Sequence, residues 1–137
     1  MKIVLDTNVF ISGIFYRGAP HRILRAWRDR RLTIVFSPAI LDEYRRVGDR
    51  LARQFPGVDV SPFLSLLLTN GRTYSPPALP EQVCTDPEDD KFLACALAAR
   101  CKTIISGDRH LVAISGYRGI KVWRPRAFVD RFLGQGG

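Results

Sequence analysis

Histidine, cysteine and long apolar runs are what this chain has least of, and each scarcity removes a class of function. The two histidines, His21 and His110, have no partner at catalytic spacing, and His110 beside Leu111 reads as a structural or surface residue rather than a general base. Cys84, Cys95 and Cys101 form no C-x-x-C pair and leave one thiol over in any disulfide scheme, so reduced, structural thiols of a cytoplasmic protein are expected. No run approaches the length of a membrane span, and Met1-Lys2 leads straight into a short strand rather than a signal peptide; no membrane partner is expected. Internal repeats and low-complexity tracts are missing as well.

Acids are also in deficit. Thirteen Asp and Glu stand against 21 Lys and Arg, and the formal charge of +8 comes almost entirely from arginine, whose planar donor fork suits phosphate. Nucleic acid is therefore the leading partner class. With 137 residues and 46% hydrophobic content, the chain is large enough for one domain with a core that needs no disulfide.

Apolar runs alternate with helical patterns, which argues for an α/β domain with a mainly parallel sheet flanked by helices. After a strand at Ile3-Val4-Leu5, helices are expected over 8–15 and 20–30, the second with Ile23, Leu24 and Trp27 inward and Arg22, Arg25 and Arg28 outward. A strand over 32–36 follows, then Ser37-Pro38 supplies an N-cap and a first-turn proline for a helix running toward Leu51. Residues 54–59 read as a loop, 61–68 as a helix stopped by Asn70-Gly71, and 72–75 as a short strand. The stretch Pro76-Pro77-Ala78-Leu79-Pro80 should carry the chain across the sheet. A helix over 87–100, a strand over 103–106, a short helix after Asp108, a strand over 120–123 and a closing helix from Pro125 complete a domain of residues 1–133. Gly134-Gln135-Gly136-Gly137 reads as a frayed end.

Four carboxylates fall where these segments begin or end, with no obvious cationic partner. Asp6 closes the first strand, and ligand sites in open α/β sheets gather beyond the carboxyl ends of strands. Glu43 lies at the margin of an apolar helical stripe between Ile40 and Val47; the alternative is a solvated glutamate paired with Arg46 or Arg50. In Asp86-Pro87-Glu88-Asp89-Asp90, Asp86 suits an N-cap and Asp89 the position three residues on. Asp90 shares the face of Leu93, Ala94 and Leu97 and, buried there, needs a partner that a metal could provide. Asp108 could bind metal or cap the helix that follows. Hard oxygen ligands favour Mg²⁺ or Mn²⁺.

Asp6-Thr7-Asn8-Val9 after an apolar strand, Ser37-Pro38 leading to Glu43, Asp90-Lys91-Phe92-Leu93-Ala94 and Ser106-Gly107-Asp108, in that order, resemble the four signatures of the PIN-domain family of metal-dependent ribonucleases. The resemblance spans nearly the whole chain. More narrowly it is to bacterial and archaeal PIN proteins described as toxins of VapBC-type toxin-antitoxin pairs. It implies Asp6, Glu43, Asp90 and Asp108 as an acidic Mg²⁺- or Mn²⁺-binding quartet, with Thr7, Asn8 and Ser106 in support; the capping pattern and helical phase at 86–90 give Asp89 a structural or supporting place rather than a direct one. It also implies cleavage of single-stranded RNA by metal-activated water, a cognate antitoxin and a homodimer. Arg22, Arg25, Arg28, Arg45, Arg46 and Arg109 are the candidates for holding RNA phosphates. Two rivals stay open: a haloacid dehalogenase-type phosphatase, which expects a second aspartate where this chain has Asn8, and an RNA-binding protein that does not cleave.

Overall fold

The computed structural model describes residues 1–134. Its centre is a five-stranded, all-parallel sheet in the order β3-β2-β1-β4-β5. The strands are β1 (Lys2–Leu5), β2 (Thr33–Phe36), β3 (Arg72–Thr73), β4 (Thr103–Ile105) and β5 (Lys121–Trp123). Helices α1 (Thr7–Phe15), α2 (Ala19–Arg28), α3 (Pro38–Ala52), α4 (Ser61–Asn70), α5 (Asp90–Ala98) and α6 (Arg109–Val112) connect them, and α7 (Pro125–Phe128) follows the last strand. The parallel α/β reading of the sequence therefore holds.

The central strands are apolar throughout because both faces of the sheet are covered: Ile3, Val4, Leu5, Ile34, Val35, Ile104 and Ile105 are fully buried. Each such side chain contributes about 1.5–3 kcal/mol of transfer free energy. Phe10 of α1 stacks on Tyr44 of α3 with ring centroids 4.2 Å apart, and the Tyr44 hydroxyl donates to the Leu5 carbonyl at 2.5 Å. That bond pins α3 to the last residue of β1, one residue before Asp6.

Local signals act as the sequence suggests at several ends. Ser37 accepts the Ile40 N–H at 3.3 Å as the cap of α3. Gly71 stops α4, and a side chain there would meet Leu67 O at 2.7 Å and the Phe36 ring at 2.9 Å, so only glycine lets β3 approach β2 this closely.

Other segments differ from expectation. The helix expected over 87–100 is a 3₁₀ turn, Pro87–Asp89, followed by α5, because Asp86 caps only that first turn through Glu88 N at 3.0 Å. The strand expected over 72–75 is two residues long and gives way to Ser75-Pro76-Pro77. The closing helix continues as a π-helical turn, Val129–Leu133. Of the expected frayed end, residues 135–137 lie outside the described residues, whereas the Gly134 carbonyl accepts from the Arg22 guanidinium at 2.5 Å. Among the described residues no helix is long and apolar enough to cross a membrane, and the three cysteines are free and buried.

Candidate active site

Strands β2 and β4 lie on opposite sides of β1, so the chain's crossovers diverge between β1 and β4, and the carboxyl ends of these two strands define the natural crevice. Val4 pairs with Ile104 and Leu5 with Ile105, which sets Asp6 beside Ser106. The Asp6 N–H extends the ladder to Ile105 O at 3.0 Å. Although Asp6 stands at the N-cap position of α1, its carboxylate makes no cap hydrogen bond; it accepts the Ser106 hydroxyl at 2.6 Å. Burial pushes its pKa up, and the negative charges of Asp108 and Glu43 add to the rise against the lowering effect of Ser106.

Ser106 also accepts the Asp108 N–H at 3.0 Å and thereby fixes the turn that presents Asp108. Asp108 caps α6 through His110 N at 2.8 Å, so its expected alternative role is real, yet its charge is felt by Asp6 and by Asp89. Asp89 ends the 3₁₀ turn, and its pKa rises to about 6, first by burial and then by the charges of Asp6, Asp108 and Asp86. Three carboxylates thus repel one another across one crevice. Beside them lies a cleft of about 400 Å³ lined by Asn8, Ser12, Pro20, Gly107, Asp108 and Pro125.

Asp90 is elsewhere. Its Oδ1 accepts Cys84 N at 2.7 Å and its Oδ2 accepts Val83 N at 3.0 Å. Burial alone would raise its pKa, but these two N–H groups hold the carboxyl below the usual range. Asp90 lies on the inward side of α5, and the backbone of the preceding loop supplies a donor to each of its oxygens.

Glu43 does have a cationic partner, contrary to expectation. Lys91 Nζ sits 2.9 Å from its Oε1, Arg46 approaches less closely at 3.7 Å, and Thr7 donates its hydroxyl to Oε2. Lys91 is held further by Glu88 O at 2.9 Å. Sequence reasoning missed Lys91; the available signal was a lysine one residue beyond the inward-facing Asp90. Of the expected supporting groups, Thr7 and Ser106 are buried within these contacts, and Asn8 is exposed at the cleft.

The arginines are scattered over the surface. Arg25, Arg28, Arg45, Arg46 and Arg109 are exposed, with Arg45 near Asp42 at 3.7 Å and Arg28 near Asp29 at 4.0 Å. Arg22 is half-buried and engaged by Gly134 O rather than turned freely outward.

A crevice at the β1/β4 divergence, lined by carboxylates that end neighbouring strands, defines an α/β protein with a candidate hydrolytic centre. The chain belongs to the PIN domain family, which it matches over residues 2–110; PIN domains are generally nucleases. It is 26% identical to the uncharacterized protein MJ1680 of Methanocaldococcus jannaschii over 143 residues, covering 96% of this chain and 92% of that protein. Its fold is similar to a chain in the crystal structure of VapBC2 from Rickettsia felis bound to a DNA fragment from their promoter. There the TM-score is 0.58 at 13% identity, over 90% of this chain and 98% of that one.

Proposed function

We propose that this protein is an endoribonuclease that cleaves single-stranded RNA with the help of Mg²⁺ or Mn²⁺, and that Asp6, Asp89 and Asp108 carry the reaction. The observation that supports this most is the meeting of Asp6 and Asp108, joined through Ser106, beyond the carboxyl ends of β1 and β4, where burial first and neighbouring acids second raise the pKa of Asp6 and of Asp89. Hard oxygen donors of this kind fit a divalent cation. Among the described residues no three His, Cys, Asp or Glu side chains converge closely enough to hold one ion directly. Mg²⁺ keeps several of its waters, and water-bridged carboxylates suit that spacing.

When bound, such an ion supplies an activated water and stabilises the leaving oxygen of a phosphodiester. The chain's own residues set the stage. Ser106 orients the Asp6 carboxylate and the Asp108 turn together; Thr7 and Lys91 hold Glu43 as a positioning group beside Asp6; Asp90 fastens the 83–84 loop against α5 and so fixes Asp89 at the preceding position. Asp89 thus takes the direct role that sequence phase gave Asp90. Exposed arginines, Arg109 beside Asp108 foremost, supply phosphate contacts.

The fold likeness to a chain of the VapBC2 structure supports a further step, that the protein is the toxin of a toxin-antitoxin pair acting in the cytoplasm. The phosphatase alternative loses its support, since Asn8 is exposed where that reading needs an aspartate and the chain is a PIN domain. The rival is binding of RNA without cleavage, and one experiment separates the two. Purified protein is incubated with labelled single-stranded RNA in EDTA, Mg²⁺ and Mn²⁺; cleavage with either metal and none in EDTA is expected, and binding without metal-stimulated cleavage overturns the nuclease. Co-expression with the product of a neighbouring small reading frame, followed by an inhibition assay, tests the toxin.

A further inference from the structure

Because all five strands are parallel, the segments that enter them meet along one edge of the sheet, at the end opposite the acids. Every one of those segments is basic. Lys2 begins β1, Arg30 and Arg31 precede β2, Arg72 begins β3, Arg100 and Lys102 precede β4, and Arg118 and Lys121 introduce β5. The single acid among these entry segments is Asp29. Apart from Lys2, which is half-buried, all these cations are exposed, and among the described residues none has an acidic group within 4.0 Å.

A local explanation accounts for part of this. Helices α2, α4 and α5 end at the same edge, and each helix C-terminus attracts cations with about half a unit charge. Lys2 is used in this way, donating to the Ala99 carbonyl at 2.9 Å. Three helix ends supply about 1.5 negative charges, against eight cations and Asp29, so most of the positive charge is left over.

Two further observations point outward. The non-glycine residues with left-handed backbone among the described residues are Arg30 (φ 64°), Arg100 (φ 53°) and Arg118 (φ 48°), all in these entry segments. Arg30 and Arg100 close α2 and α5 at the position where glycine or asparagine is the residue of least cost. Between α2 and β3 the edge also holds a cavity of about 280 Å³ lined by Arg30, Arg72, Thr33, Thr69, Asn70 and Trp27. The Trp27 Nε1–H is buried and has no hydrogen-bond partner. Guanidinium, hydroxyl and amide donors gathered there without a carboxylate suit a phosphate.

We propose that this amino-terminal edge is a second nucleic-acid surface, which binds the backbone of single-stranded RNA through Arg30, Arg31, Arg72, Arg100 and Lys102. Strands spaced about 4.8 Å apart make these cations, from β3 to β4, a row about 14 Å long across the sheet, a form that matches a chain of phosphates better than a single small anion. The inference rests on the reading above only for the identity of the polyanion.

The test compares wild type with the quadruple variant Arg30→Gln, Arg72→Gln, Arg100→Gln and Lys102→Gln, none of which touches the acidic crevice. Anisotropy titrations use a labelled single-stranded RNA of twenty nucleotides in EDTA at several KCl concentrations. The slope of log affinity against log salt should shrink by about 0.7 for each RNA phosphate that the variant no longer neutralises, up to about 2.8. A slope equal to that of wild type overturns the proposal, provided circular dichroism shows the same fold; a misfolded quadruple is replaced by the pair Arg30→Gln and Arg72→Gln, judged by the same criterion. Loss of binding to polyglutamate with unchanged RNA binding assigns the edge to an acidic protein and also overturns it. Metal-dependent cleavage is scored separately. A reduced slope in a protein that cleaves nothing leaves this surface standing and removes the nuclease, whereas an unchanged slope in a protein that cleaves does the reverse.

Discussion

Two groups of carboxylates share the carboxyl edge of the sheet and are treated in opposite ways. Glu43 and Asp90 have their oxygens taken up: one by Lys91 and Thr7, the other by the N–H groups of Val83 and Cys84. Burial comes first for Asp6 and Asp89, and although Ser106 donates to Asp6, the charges of other acids add to the rise of both pKa values, while that of Asp90 falls. Asp89 and Asp90 are adjacent in the chain, so neither composition nor exposure alone separates the groups. What separates them is how fully the fold takes up their oxygens: both oxygens of Glu43 and of Asp90 have donors, whereas Asp6 has Ser106 on one oxygen alone. On the function proposed above, the carboxylates with both oxygens matched hold the structure, and those that face like charge carry the chemistry.

The sharpest way to break this comparison is to remove the charge of each neighbour in turn. Asp89→Asn should lower metal-dependent RNA cleavage by about a hundredfold or more, roughly 2.7 kcal/mol of transition-state stabilisation, while Asp90→Asn should stay within about tenfold once normalised to folded protein. Single-turnover rates on one RNA decide it, and the reverse order would return the direct role to Asp90.

Stability should show the mirror image. An amide at position 90 must turn its NH₂ toward one of two backbone donors, so Asp90→Asn should cost about 1–3 kcal/mol, seen as a lower denaturant midpoint with an unchanged m-value. Asp89→Asn should instead stabilise the protein at pH 7 by on the order of 1 kcal/mol, after allowing for screening at a partly exposed site.

The same contrast predicts a pH dependence. With its pKa raised to about 6, Asp89 holds more protons in the folded than in the unfolded chain between about pH 4 and pH 6. Its contribution to stability therefore falls as pH rises through that window. The contribution of Asp90, whose pKa is depressed, is present above its unfolded pKa of about 3.9 and is lost as pH falls through the folded value. Urea melts of wild type and Asp89→Asn from pH 4 to 7 should converge at the acid end; curves that stay parallel would remove the assigned repulsion. The smallest effect expected is on ion binding: Lys91→Gln frees Glu43 and should tighten Mn²⁺ roughly threefold by calorimetry, with weaker binding contradicting the role given to Lys91.

Much of this was legible in the sequence, for physical reasons. Alternation of apolar runs with helical patterns gave the parallel sheet. The closing residues of Ile3-Val4-Leu5-Asp6 and Thr103-Ile104-Ile105-Ser106 gave the crevice, because strand exits in a parallel sheet share one edge. The partners of the acids were not legible. Asp90 is satisfied by a loop that folds back from positions 83 and 84, and Glu43 by a lysine 48 residues away. Helical phase says which face a carboxylate occupies but not which donor waits there. The 3₁₀ turn added to the difficulty, since three residues per turn shift Asp89 away from the register an α-helix from Pro87 would give.

The two outer strands carry one more consequence. β3 offers two residues before the chain turns into Ser75-Pro76-Pro77, and β5 offers three before Arg124-Pro125. Proline has no N–H to give a neighbouring strand, and runs this short leave few unpaired backbone groups for an incoming chain. The sheet is thus closed to lengthening at both flanks. A second copy would have to meet this one through its helices, and crowding the protein should not recruit it into strand-exchanged or fibrillar assemblies by way of its sheet.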